Sequence, residues 1–394
     1  MTDRTQKGGG RGAPADEPAG SIGRKGNVRT IADLARLAGV SGATVSRALN
    51  DSPLVNERTR RRIQELASRH RFRLNARARQ LRLRKTDTVC VILLIDEEAG
   101  QGLSDPFLLE LLGGIADRLS ARGYDLLLSR AEPGADWWEE VLHPRRFDGA
   151  IIFGQACEHR RLNALADAGA PFVVWGGRLP DQHYASVGSD NLGGGQAATR
   201  HLIEQGCRRI GFLGDLAFPE AALRWEGYRL ALEEAGLPLD EALYRPTRFS
   251  GESAVRATRD LIESAQPFDG LVAASDVIAL GAIRALEQAG RAVPGDVAVV
   301  GYDDIPLAAY VHPSLTTVRQ DVAAGGRALV DLLLSRIETP PARTAPASQQ
   351  ADGQEPPHVI LPTRLIVRQS SRRDGAFTPR MPDDADASGP VGHD

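Results

Sequence analysis

The run from Arg29 to Lys85, RTIADLARLAGVSGATVSRALNDSPLVNERTRRRIQELASRHRFRLNARARQLRLRK, constrains this chain more than any other stretch. Thr30 is a good N-cap, and Asp33 sits near the positive end of the helix that follows. Ile31, Leu34, Ala35 and Ala38 repeat at i, i+3, i+4 and i+7 and give that helix one apolar stripe. Gly39 can take the left-handed conformation that ends it, Val40 plugs the turn, and Ser41 caps a second helix to about Leu49. In the second helix Val45 and Leu49 point inward; Gly42, Ala43, Ser46 and Arg47 point outward. Asn56 caps a third helix to about His70, with Ile63, Leu66 and Ala67 inward. Two helices joined by a tight glycine turn, the second with small and basic residues outward, predict a helix-turn-helix able to enter a DNA major groove.

Charge supports that expectation. Arg29–Lys85 holds fifteen Lys and Arg against four Asp and Glu, whereas the whole chain of 394 residues carries a net −3. The remainder is therefore strongly acidic, and the asymmetry points to nucleic acid at one end only. No apolar run approaches the roughly 18 residues needed to cross a bilayer, so no membrane partner is expected. Residues 1–27 carry charge, glycine and proline but no apolar core, which predicts a disordered tail and no signal peptide. Cys90, Cys157 and Cys207 lack metal or redox spacing and are expected to be buried thiols in a reducing cytoplasm.

From Thr88 onward the pattern alternates. The apolar runs VCVILLI, YDLLLS, GAIIFG, FVVWG, YASVG, RIGFLG, GLVAAS and VAVVGY are strand-like. Amphipathic segments at 106–122, 192–205, 221–235, 254–264 and 277–289 stand between or beside them. Repeated βα units predict doubly wound parallel sheets, with too many strands for one comfortable sheet. The fold class is thus a small all-α helix-turn-helix DNA-binding domain followed by a two-lobed α/β core.

The segments IADLARLAGVSGATVSRALN, NERTRRRIQELA and NARARQLR, in that order and spacing, closely resemble the amino-terminal module of the lactose-repressor/galactose-repressor family of bacterial transcription regulators. The resemblance implies a homodimer on a pseudo-palindromic operator in double-stranded DNA. Arg47 matches a base-reading position, and Thr44, Ser46 and Asn50 match backbone-contacting ones. Gly42 and Ala43 fall on two positions that choose operator sequence, and Thr30 and Ser41 complete the DNA-facing set. Asn75, Ala78 and Leu81 match a hinge helix whose leucine wedges the minor groove, with Asn75 as its cap. Leu74 replaces a proline common there, and the surrounding arginines predict a hinge frayed without DNA.

The core resembles a periplasmic sugar-binding protein. That likeness implies a helix-turn-helix domain at 28–73, a hinge and linker at 74–87 and a core at 88–370. Lobe one is expected at about 88–204 and 315–340, and lobe two at about 205–314 and 358–370. A flexible loop is expected from Thr339 to His358 and a disordered tail from 371 to 394. The family pattern implies that Asp190, Arg224 of the R-x-x-G motif and Asp276 hydrogen-bond a small effector. It also places Phe249 at a stacking position, Phe107 near the cleft, and Asp303 at a further strand end; Trp175 and Arg178 are weaker candidates. A saccharide suits carboxylates, a guanidinium and aromatic faces, with a purine or nucleoside as the alternative. Plainer readings remain for each: Asp190 and Asp276 as N-caps, Phe107 and Phe249 as ordinary core, Asp303 at the lobe junction. An effector-independent DNA-binding protein is the remaining alternative. Nucleotide-binding, zinc-protease and serine-hydrolase motifs are absent and the histidines lack ligand spacing, so no enzyme, cofactor or metal is expected. The Gly193–Gly195 run reads as close packing.

Overall fold

The computed structural model describes residues 28, 30–49, 51–70, 72, 85–94, 102–132, 134–143, 146–155, 158–338 and 356–372, in two compact units that divide between residues 84 and 85. The expected tails up to residue 27 and beyond 372, most of the 339–358 loop and the hinge proper lie outside those residues.

In the first unit, α1 (Ile31–Ala38), α2 (Gly42–Leu49) and α3 (Glu57–Arg69) fall where the capping chemistry predicts. Thr30 and Asp33 form a reciprocal capping box, and Gly39 ends α1 at φ 63°. Ser41 Oγ accepts from the Thr44 amide at 3.1 Å, and Asn56 Oδ1 from the Thr59 amide at 2.8 Å. Leu34, Val45, Ala48 and Ile63 form the centre of a small core. Leu49 is only half-buried, and Ala48 takes the deeper position. Burying a side chain the size of Leu34 or Ile63 contributes about 1.5–3 kcal/mol. Helix α3 also satisfies the open carboxyl ends of its neighbours: Arg62 Nη2 donates to Ala38 O at 2.6 Å and Gln64 Nε2 to Ala48 O at 3.3 Å.

The second unit contains two six-stranded sheets. The first is built from β1 (Thr88–Leu94), β2 (Asp125–Ala131), β3 (Gly149–Phe153), β4 (Phe172–Trp175), β5 (Ser186–Ser189) and β11 (His358–Leu361). Its order is β11-β5-β4-β3-β1-β2, parallel throughout. The second contains β6 (Ile210–Leu213), β7 (Tyr244–Arg245), β8 (Gly270–Ala273), β9 (Ala298–Asp303), β10 (Thr316–Gln320) and β12 (Thr363–Ile366). Its order is β12-β10-β9-β8-β6-β7, and only β12 runs antiparallel to its neighbour. Helices α4 (Pro106–Ala121), α5 (Trp137–Leu142), α6 (His159–Asp167), α7 (Asn191–Glu204), α8 (Pro219–Glu234), α9 (Gly251–Glu263), α10 (Asp276–Gln288) and α11 (Val322–Glu338) connect and flank them. The central strands are buried on both faces, which explains their continuous apolar runs.

The lobes are built alike at their entrances. Asp148 accepts from the Thr86 and Asp87 amides at 2.6 and 2.9 Å, and Asp269 accepts from the Arg208 and Arg209 amides in the same way. Each aspartate stands between Phe and Gly at the start of a strand and ties down the chain leading into its neighbour.

The chain changes lobe three times, and not where the sequence implied. After β5 it enters α7, which packs on α8, β9, β10 and β12 of the second lobe, so residues 191–204 leave lobe one. Strand β10 belongs to the second sheet and only α11 returns to the first, so the change falls at Asp321 rather than near 315. Strand β11, beginning at the last residue of the expected loop, pairs with β5 in lobe one; one residue later β12 is in lobe two. An amphipathic helix reads the same whichever sheet it covers, and TTVRQ is too short and polar to announce a strand. Ser371, the first residue of the expected carboxyl-terminal tail, is instead fully buried.

Candidate functional site

On the first unit, Ser41, Ala43 and Arg47 are exposed, Thr44 and Ser46 are half-buried, and the Thr30 hydroxyl is engaged with Asp33 at 2.8 Å. Gly42 leaves room: a Cβ there would meet only Ile31 Cγ2 at 3.5 Å, an ordinary contact. The outward face of α2 is thus almost bare up to Arg47, and its chemistry is close approach of backbone plus one guanidinium. Asn50, Asn75, Ala78 and Leu81 lie outside the described residues.

In the second unit a cavity of about 840 Å³, measured with its open mouth, is lined by residues of both lobes. Lobe one contributes Phe107, at the start of α4, and Trp175, at the end of β4, with ring centroids 5.9 Å apart. Gly325 of α11 makes room for the indole: a Cβ there would lie 2.8 Å from Trp175 Cζ3. Lobe two contributes Phe218 and Phe249, edge to face at 5.3 Å. Phe107 packs against the cores of both lobes.

Arg224 enters the cavity from α8 and is 5% exposed. Its Nε donates to Asn191 Oδ1 at 2.8 Å, Nη1 donates to Ala274 O, and its guanidinium lies 3.7 Å above the Tyr302 ring centroid. That cation–π contact and two hydrogen bonds hold a charge that would otherwise be costly to bury. One turn later Gly227 allows α8 to meet α7: a Cβ would overlap Leu192 O and approach Gln196 N to 2.6 Å. Gly195 faces Arg224 O just as closely, which is the close packing expected of the glycine run. The R-x-x-G spacing therefore joins a cavity-lining cation to the contact that positions its helix.

Four of the six expected effector residues, Phe107, Arg224, Phe249 and Asp303, line this cavity. Asp190 and Asp276 do not. Asp190 caps α7, accepting from the Gly193 amide at 2.9 Å, while its own amide donates to Leu361 O at 2.8 Å. Asp276 is fully buried, with Oδ1 accepting from Thr317 Oγ1 at 2.6 Å and Oδ2 from the Ile305 amide at 2.9 Å. It is not the cap of α10 either; Ser275 Oγ takes the Ile278 amide at 3.2 Å. Asp303 holds φ 118° and accepts from Gln320 Nε2 at 2.6 Å, beside the passage of the chain into α11, so it serves cavity and junction together. Asp304 is bound by Arg319 and Arg368. Trp175 lines the cavity, whereas Arg178 borders a separate recess with His358.

Sequence reading missed Asp105, Gln155, Phe218 and Glu220, all lining residues. Gln155 is 1% exposed; the two N–H groups of its Nε2 are shared among Gly177 O, Gln182 Oε1 and Tyr184 Oη, and its Oε1 finds no donor among the described residues. Burial pushes the carboxyls of Glu220 and Asp303 upward, with Arg224 opposing in each case. Burial also raises Asp105, opposed by the Leu108 amide. Among the described residues no cluster of three or more metal-ligating side chains occurs, and no helix is long and apolar enough to cross a membrane.

A helix-turn-helix unit joined to a two-lobed core with an aromatic-walled polar cavity defines a ligand-binding DNA-binding regulator. Residues 30–75 match the model of the bacterial regulatory proteins of the lacI family, and residues 199–371 that of the periplasmic binding protein-like domain. The HTH-type transcriptional regulator CelR of Thermobifida fusca is 35% identical over 347 residues, covering 86% of this chain and 98% of CelR. A solved CelR-cellobiose complex superposes with TM-score 0.63 at 33% identity, covering 86% of this chain and 99% of that one. The lac repressor dimer bound to operator and an anti-inducer gives TM-score 0.73 at 25% identity, over 87% of this chain and 98% of that one. The chain belongs to the lacI family of bacterial regulatory proteins, and it is a DNA-binding transcription regulator.

Proposed function

We propose that the protein is a dimeric transcriptional repressor of the bacterial cytoplasm, acting by binding rather than catalysis, whose hold on a pseudo-palindromic operator is set by a saccharide in the core. The observation that carries this reading is the cavity itself. Aromatic pairs from both lobes line one cavity with a buried guanidinium and an amide oxygen that has no donor among the described residues. Aromatic faces cover the C–H patches of a pyranose, Arg224 donates to ring or hydroxyl oxygens, and Gln155 Oε1 accepts from a hydroxyl. The similarity to a regulator solved with cellobiose supports the same class of ligand.

In this reading Arg47 reads a base edge, Thr30, Ser41, Thr44, Ser46 and Asn50 hold the backbone, and Asn75, Ala78 and Leu81 form the hinge. Gly42 and Ala43 offer little direct readout, so operator choice leans on Arg47 and on the shape of the DNA. Effector binding favours one arrangement of the lobes, and the paired hinges transmit that preference to operator spacing. A coupling of about 1–3 kcal/mol changes operator affinity between several-fold and 150-fold.

The test is operator anisotropy with the full-length protein, with and without a panel of cellobiose, glucose, ribose and hypoxanthine. A saccharide should shift operator affinity at least fivefold, within that coupling range. Arg224→Ala, compared with its own ligand-free affinity, should lose the shift. A response to hypoxanthine alone, or to none of the panel, rejects the saccharide reading.

A further inference from the structure

The charge carried by the cavity says more about its ligand than its shape does. Three carboxyl groups, Asp105, Glu220 and Asp303, line it against one guanidinium, Arg224. The neighbouring acids Asp276 and Asp304 are already engaged, by Thr317 and the Ile305 amide and by Arg319 and Arg368. Two of the arginine's nitrogens are engaged by Asn191 and Ala274. Sites that hold phosphate use clustered arginines or the free amides of a helix amino terminus. Helix α8 offers neither: it begins with Pro219, which has no N–H, followed by Glu220, whose carboxyl answers the helix's own positive end. The buried Gln155 Oε1 has no donor among the described residues; a ligand hydroxyl supplies one and an ionised phosphate does not.

We propose that Glu220 and Asp303, with Asp105, make the cavity a charge filter that admits uncharged polyhydroxy ligands and excludes phosphorylated ones, with Gln155 Oε1 taking a ligand hydroxyl. This rests on the saccharide reading and narrows it to sugars without phosphate. The upward push on these carboxyls marks a water-poor site in which negative charge is already costly, and one guanidinium is there to answer it, so a phosphorylated sugar loses more by entering than its hydroxyls recover.

The experiment titrates full-length protein, and the double variant E220Q/D303N, with cellobiose, glucose, glucose 6-phosphate and inorganic phosphate, read by calorimetry and thermal shift. Glutamine and asparagine keep the size of the carboxyls; asparagine tolerates the positive φ at 303 and can still accept from Gln320. The parent protein should show no binding of inorganic phosphate or glucose 6-phosphate. The double variant, with Arg224 faced by Asp105 alone, should gain about tenfold or more in phosphate affinity, a shift of about 1.4 kcal/mol. Phosphate or glucose 6-phosphate binding to the parent protein as tightly as the neutral sugars overturns the proposal, as does a folded double variant with no gain. If circular dichroism shows that the double variant is unfolded, E220Q alone and the parent comparison decide. If no saccharide binds but the phosphate arms behave as stated, exclusion of anions stands and the saccharide reading falls.

Discussion

Asp276 shows how one side chain can look like a ligand-binding group and be a structural one. It stands at a strand end, where aspartates of binding cores often meet their ligand, yet it ties Thr317 and the Ile305 amide together in the interior of lobe two. Burial pushes its pKa from 3.8 to about 7, aided by Asp304 and opposed by Thr317, Ile305 and Arg368. A carboxyl raised on folding favours the folded state while protonated. Its contribution is whole below the unfolded pKa and is lost as the pH climbs to about 7, at up to about 1.4 kcal/mol per pH unit. Thermal melts of the parent protein and Asp276→Asn between pH 5 and pH 8 should therefore show the stability difference shifting by about 2 kcal/mol toward the variant at the higher pH. A difference independent of pH would mean that the carboxyl is charged throughout. Arg224 was legible in the sequence through its match to the family's R-x-x-G motif. Gln155 and Glu220 were not, since a single polar residue after a strand or at a helix start gains its role only when another lobe faces it.

Helices announced themselves better than strands. Caps at Thr30, Ser41 and Asn56 set the DNA-binding module within a residue, because capping is local chemistry. Strands β7, β10, β11 and β12 escaped notice: they are two to five residues long, and only β10 is largely buried. The crossing of α7 and α8 was visible only as an unusual run of glycines. Its tolerance is small, because both sides of the contact are backbone. Gly227→Ala should push the helices apart, cost about 1–3 kcal/mol in urea denaturation and weaken binding of the saccharide proposed for the cavity by displacing Arg224 one turn away. Unchanged stability and binding would show that the helices can separate without moving the site.

The division into a DNA-binding head and a two-lobed body was readable from charge asymmetry and from repeated βα units. The routing of the chain between lobes was not, because nothing in an amphipathic segment records which sheet it will cover. Three passages, near Asp190, Asp321 and Pro362, link lobes that close on one cavity, and Asp303 with Gln320 sits beside the second. The third consists of a single proline between β11 and β12. On the ribosome, neither sheet can gain its last edge strand until this stretch emerges, long after the head has its three helices. A chain stopped after Pro357 should retain protease-resistant helical structure in the head and lose it throughout the body, by limited proteolysis with mass spectrometry. Premature termination there would thus release a DNA-gripping fragment deaf to any metabolite, rather than a weakened copy of the whole.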